Sequence, residues 1–395
     1  MSVGWFLKVF YNYGLVSGLL PARLAKQGQV WHFCNGIGYI IYTILVNCSL
    51  LLLLPLTLPR FMYTNSYMSE SSSLQWNFTL TGVTRVLAMF VCGGLVWIKR
   101  NKLRQLGEDL LRQCQLCQQL QEKSNHLVKY KQLQDKIRGL LFQQFCVMML
   151  NIFAPAFLLL RIESDQVLDY LLMVFVHMVQ FIYIMIAMLG FYIVLLLIYW
   201  QMQRVNLGLK DLLDALHCDR YIQTSLETLR HLYHLHGQNV NLLHRVLQIT
   251  DVSMACLLLK MFVTNVNLVY HGVQFGNSSI DTNWLTKMLG ESVILTHYWN
   301  AILLMNLVDS LTRQTGIETA HIMRQFSAYE SNNRDFEVQL EIFSDHVRCH
   351  PTAYKVCGLF VFNKSTSLAY FFTVLIEVLV LVQFDLKNKV DEHQK

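Results

Sequence analysis

Charge is scarce in this chain. Only 15% of its 395 residues are Asp, Glu, Lys or Arg, against about a quarter in an ordinary soluble domain. Proline is scarcer, with 5 copies. That suits long uninterrupted helices, because a proline inside a helix removes a backbone hydrogen bond. Catalytic signatures are missing as well: there is no Gly-Xaa-Ser-Xaa-Gly elbow, no His-Glu-Xaa-Xaa-His pair and no phosphate-binding glycine loop, so neither an enzyme nor a resident metal or cofactor is expected. What the chain has instead is apolar bulk, with 54% hydrophobic residues and a mean hydropathy of +0.35. Too few polar residues remain to cover a soluble surface, so much of that surface must face lipid. The net charge of +6 then says little about nucleic acid, which is not an expected partner. The bilayer is.

A spanning helix needs roughly 20 mostly apolar residues. Seven segments qualify: 36–58, 78–98, 140–160, 168–199, 249–270, 284–307 and 365–384. The fourth is too long for one crossing and is expected to tilt or to run on into water. The first 13 residues carry one Lys and no apolar core with a cleavage site, so the first span is expected to act as signal and anchor together. Positive loops stay cytoplasmic. With the N-terminus inside, the segments 1–35, 99–139, 200–248 and 308–364 hold 24 of the 32 Lys and Arg, and the outside segments hold 5. Only Arg85, Lys260 and Lys287 fall within spans. The C-terminus is therefore expected outside. Two glycosylation sequons, at Asn77 and Asn277, fall outside on this topology, and two others, at Asn47 and Asn363, do not. None of the 10 Cys lies in an outer loop, so no extracellular disulfide is expected.

The inner segments read as amphipathic helix. Leu106, Leu110, Cys114, Cys117 and Leu120 recur every three or four residues, as do Leu209, Leu212, Leu213 and Leu216, and later Leu226, Leu229, Leu232 and Tyr233. Such faces must be covered. Spans two to five are expected to continue as helices and to pack together below the membrane. The whole chain, 1–395, reads as one seven-helix domain.

Several motifs carry a sharp reading and a bland one. Asp219-Arg220-Tyr221 has the letters of a triplet that ends the third span of G-protein-coupled receptors, but here it lies deep in a hydrophilic loop after span four. Cys114-x-x-Cys117 sits on an apolar stripe, where buried thiols are commoner than redox or metal pairs. His231, His234 and His236 lack a carboxylate or Cys at ligand spacing, which favours packing over metal. Charges inside spans are costly and draw functional suspicion. Arg85, Lys287 and Glu291, with Tyr170 at similar outer depth, are candidate ligand-pocket residues. Trp284 and Tyr270 read as interfacial anchors.

Near the C-terminus, Cys357-Gly358-Leu359-Phe360 is followed by an amphiphilic stretch and then Val378-Leu379-Val380-Leu381-Val382-Gln383-Phe384. This resembles the insect gustatory receptor family, whose signature there is Thr-Tyr, five hydrophobic residues and Gln-Phe. Ile376 and Glu377 stand where the family has Thr-Tyr. The resemblance implies an all-α, polytopic membrane protein with seven transmembrane helices, a cytoplasmic N-terminus and long cytoplasmic helical extensions forming an anchor domain. It further implies a homo- or heterotetrameric, ligand-gated, non-selective cation channel. Such a channel would sit in the plasma membrane of gustatory receptor neurons and be opened by a small-molecule tastant. The seventh helices would line one pore, with Glu377, Val380, Leu381, Gln383 and Phe384 as pore and gate residues. If Glu377 faces the axis, four copies make an acidic ring; if not, it packs against a neighbouring span. A receptor signalling through G proteins and a secondary transporter are the other readings. The inverted topology speaks against the first, and a count of seven, which does not divide into two repeats, against the second.

Overall fold

The computed structural model describes residues 3–20, 22–27, 30–34, 36–53, 72–123, 127–159, 167–217, 222–276, 283–326, 334–349, 354–358 and 360–393. In chain order these form α1 (Val3–Val16), a hairpin of β1 (Arg23–Gln27) and β2 (Val30–Cys34), α2 (Ile37–Leu52), α3 (Ser72–Ile98), α4 (Arg100–Lys123), α5 (Leu127–Leu159), α6 (Val167–His217), α7 (Ile222–Gly276) and α8 (Trp284–Arg313). A π-helical turn, Gln314–Glu318, then leads into α9 (Thr319–Phe326). After it come α10 (Arg334–Cys349), a short hairpin of β3 (Lys355–Val356) and β4 (Phe360–Val361), and α11 (Lys364–His393).

Every expected span falls on a helix. Ile37–Leu52 carries most of the first, whose last residues lie outside the described part. Five helices are long and apolar enough to cross a bilayer: α3, α5, α6, α7 and α11. α8 is 30 residues long but carries Lys287 and Glu291 near its start, which dilute its hydropathy. At 1.5 Å per residue, α6 with 51 residues and α7 with 55 are roughly 77 and 83 Å long. A hydrocarbon core is about 30 Å thick, so more than half of each rod stands clear of it. The excess length of the fourth span is thus continued helix.

Those projecting halves form a second core. Leu209, Leu212, Leu213 and Leu216 of α6 meet Leu229, Leu232 and Leu235 of α7, closed by Phe326 of α9 and Phe343 of α10. The α4 stripe joins it through Cys117, while Leu106 and Leu110, also buried, pack into the larger core that runs up among the spans. The expected helical bundle beyond the spans is therefore present, and the spacing of leucines in the sequence is what specifies it. Cys117 is fully buried there, and desolvation pushes its thiol up to about 12. Gln201 donates to the Cys114 sulfur at 2.9 Å. His236 is fully buried, with Nε2 3.1 Å from the Thr315 carbonyl. The cysteine pair and this histidine are thus packing elements. The Asp219-Arg220-Tyr221 triplet lies outside the described residues.

The π turn frees carbonyls that an α-helix would bond. Asn206 of α6 serves one of them: its Nδ2 donates to the Gln314 carbonyl at 3.1 Å, which the Thr319 hydroxyl also reaches at 2.7 Å, and its Oδ1 accepts from the same hydroxyl at 2.9 Å. At the foot of α11, the β3–β4 turn holds Cys357 at φ 47° and Gly358 at φ 71°. Asp251 of α7 fixes this turn, accepting from the Cys357 N–H at 2.7 Å and the Tyr354 hydroxyl at 3.0 Å. Burial, and then Asp251, push the Tyr354 hydroxyl pKa upward.

Candidate functional site

The last helix has three faces. At about 100° per residue, Val374, Val378 and Asp385 share one, and all three are buried. Tyr270 and Val266 of α7 and Tyr298 of α8 pack against it. Asn265 of α7 donates to the Tyr370 hydroxyl at 2.7 Å, and the Tyr270 hydroxyl donates to Asp385. The Tyr298 and Tyr370 rings meet edge-on at 6.2 Å. Polar bonds inside a bilayer hold well because no water competes for them, so α11 is fastened at two depths.

A second face lines a cleft of about 560 Å³. Glu377, Val380, Leu381 and Phe384 form one wall. Trp76 and Asn77 of α3 face them, with Phe262 and Val266 of α7 behind. Glu377 and Phe384, seven residues apart, belong together here.

The third face points away from the chain's own bundle. Phe372, Ile376, Leu379 and Leu386 are each more than half exposed, and Gln383 is exposed among them. Gln383 stands nine residues beyond Val374, about half a turn round the helix. The five expected pore residues therefore divide: Gln383 lies on the outward face, while Glu377, Val380 and Phe384 flank the cleft and Leu381 leans toward the bundle.

The expected pocket residues also scatter. Arg85 is buried in α3 at 8% exposure. Lys287 and Glu291 stand exposed at the start of α8 and do not converge with it. Tyr170 lies in the first turn of α6, its side chain outside the described part. Trp284 is exposed as an interfacial residue would be, at 71%. Tyr270 is fully buried and bonded to Asp385, so it is no interfacial anchor. Asn77 is buried at 7% and lines the cleft. A glycan needs an exposed acceptor, so the structure favours a cleft role for Asn77. Asn277 lies outside the described residues.

Two interior residues were not singled out as pocket candidates in the sequence: His297 of α8 and Phe181 of α6. The Lys260 ammonium lies 5.1 Å from the centre of the Phe181 ring, and the His297 ring lies 5.5 Å from it. Lys260 and His297 are buried to 1% and 2%. A histidine in mid-span, beside the polar Thr296 and Asn300, was the signal available.

With this geometry in hand, comparison with known proteins identifies the fold and the lineage. Residues 7–388 match the model of the 7tm chemosensory receptor family. Gustatory receptor 58a of Drosophila melanogaster is 47% identical over 98% of this chain and 99% of its own length. Gustatory receptor 58b of the same fly is 28% identical over 89% of this chain and 84% of its own. Among solved structures, the insect olfactory receptor OR5 from Machilis hrabei in complex with eugenol superposes with a TM-score of 0.67 at 13% identity, covering 96% of this chain and 98% of that one. That likeness carries the fold. The chain is a membrane-embedded receptor rather than an enzyme, and it belongs to the 7tm chemosensory receptor family, among the insect gustatory receptors.

Proposed function

We propose that this chain is a subunit of a tastant-gated, non-selective cation channel, assembled as a homo- or heterotetramer in the plasma membrane of gustatory neurons. One observation carries the reading. α11 is apolar enough to span a membrane, yet only 17% of its most apolar stretch is buried by the rest of the chain. A helix that its own subunit leaves so bare, while fastening it through Tyr270 and Asn265, is suited to meet copies of itself round an axis. Four outward faces would then line a pore with Phe372, Ile376 and Leu379, and Gln383 would supply the polar ring near its end. Hydrophobic constrictions gate by dewetting. In this arrangement Glu377 flanks the lining.

The excess of Lys and Arg in the segments around the α4–α10 bundle supports a cytoplasmic bundle and N-terminus. The relative solved with eugenol supports a small-molecule agonist. Opening can draw only on the agonist's preference for the open over the closed arrangement. The test is current recording from cells expressing this chain alone across a tastant panel, with an N-terminal tag read before and after permeabilisation. A ligand-evoked cation current and a tag reached only after permeabilisation are expected. A tag accessible on intact cells would overturn the topology, and responses abolished by blocking G-protein signalling would overturn the channel.

A further inference from the structure

Four helices bring one set of side chains to a common depth. Arg85 lies 13 residues from the start of α3, Phe181 lies 14 from the start of α6, and His297 lies 13 from the start of α8. Lys260 lies 16 residues before the end of α7. Those four helix ends share one side of the membrane: the chain crosses twice between the starts of α3 and α6, twice between the start of α6 and the end of α7, and not at all from there to the start of α8. At 1.5 Å per residue all four side chains sit roughly 20–24 Å below that side. Lys260 and His297 both touch the Phe181 ring, and α3, which carries Arg85 at this depth, packs along α7.

The set is basic and uncompensated. Arg85 Nη1 and Lys260 Nζ are buried without a hydrogen-bond partner among the described residues, and the buried His297 ring meets the Val293 backbone one turn back. One turn from Lys260, the Thr264 hydroxyl is buried and unpartnered too. The ion pairs of the described residues all lie elsewhere. Of the carboxylates in or next to the neighbouring spans, Glu291 and Glu377 are exposed and Asp385 is engaged by Tyr270. Cations buried without a counter-charge are costly, and three helices do not place donors round one aromatic ring to leave them empty.

We propose that Arg85, Lys260 and His297 receive the carboxylate of a small organic acid, with Phe181 as the flat apolar surface for its body. The guanidinium and ammonium supply charge-assisted bonds, His297 and Thr264 supply further donors, and the ring accounts for an organic anion in preference to a bare inorganic one. This rests on the reading of the chain as a ligand-operated receptor and names the chemical class of its ligand.

The test separates binding from gating. Thermal unfolding of the purified full-length chain is followed in methanesulfonate buffer with benzoate and cinnamate, with benzamide and cinnamamide, and with sodium chloride. The carboxylates are expected to raise the midpoint with saturable dependence on concentration, and the amides to leave it unchanged. Lys260→Met and Arg85→Gln should each weaken the half-saturating benzoate concentration at least tenfold, while Lys260→Arg keeps most of the effect. Lys287→Met, exposed on the same side, should change nothing. Equal shifts from acid and amide, no shift from either acid, retention of the benzoate shift in Lys260→Met, or a full shift from chloride alone that benzoate does not extend would each overturn the proposal. Binding without evoked current would overturn the channel reading and leave this one standing.

Discussion

The Tyr270 hydroxyl donates to the carboxylate of Asp385, and both side chains are buried. This bond ties α7 to the residue that follows Gln383-Phe384. A hydrogen bond to a charged group is worth about 1.5–3 kcal/mol. If the bond exists only in the closed arrangement, Tyr270→Phe shifts the opening equilibrium roughly 10- to 100-fold toward open. Raised resting current and a lower half-activating ligand concentration are the expected readouts, with Asp385→Asn giving a smaller change of the same sign. Unchanged resting current at equal surface expression would show that the bond is kept on opening.

Gln383 and Glu377 lie on different faces of α11, and their variants should separate. Gln383→Cys is expected to react with a charged thiol reagent applied from outside, and the current should fall steeply. Glu377→Gln is expected to leave ion selectivity and divalent block unchanged, because its side chain lines the cleft with Trp76 and Asn77. Loss of divalent block in Glu377→Gln would restore the acidic ring.

Asn206 joins α6 to the π turn through Gln314 and Thr319. Asn206→Leu removes both bonds, while the Thr319 hydroxyl keeps the Gln314 carbonyl as its acceptor at 2.7 Å. The expected cost is about 1–3 kcal/mol, the net worth of two hydrogen bonds. Thermal unfolding monitored by size exclusion would read this as a lowered midpoint, and Asn206→Gln should recover only part of it.

Cys357 holds a left-handed backbone at φ 47° with a side chain that disfavours it. Cys357→Gly relieves that strain and keeps the N–H that Asp251 accepts. Stability should hold or rise by up to about 1 kcal/mol. Asp251→Ala should instead lower the unfolding midpoint, since it frees both the turn and the buried Tyr354 hydroxyl.

Much of this architecture is written in the spacing of apolar residues. The leucines from Leu209 to Leu216 and from Leu226 to Leu232 define faces that could only be buried against each other, and they are. Helix length set the spans in the same way. The faces of α11 were less legible. Its sequence is apolar all round, so periodicity distinguishes no side, and the direction of Gln383 follows from where Tyr270 and Tyr298 pack. The meeting of Lys260 and His297 at the Phe181 ring could not be read at all, because a contact between helices far apart in sequence leaves no local pattern. The β1–β2 hairpin and α1 also escaped notice, being short and lacking the length by which spans declare themselves.

The two longest helices run without a proline from the depth of Lys260 and Phe181 down into the distal bundle. Each is a rigid lever with its short arm in the bilayer. A tilt of a few degrees at the Phe181 ring, too small to disturb local packing, becomes a displacement of several ångströms at the far end of α6 and α7, where Phe326 and Phe343 close the second core. Whatever settles at that depth is thus mechanically geared to the opposite end of the molecule.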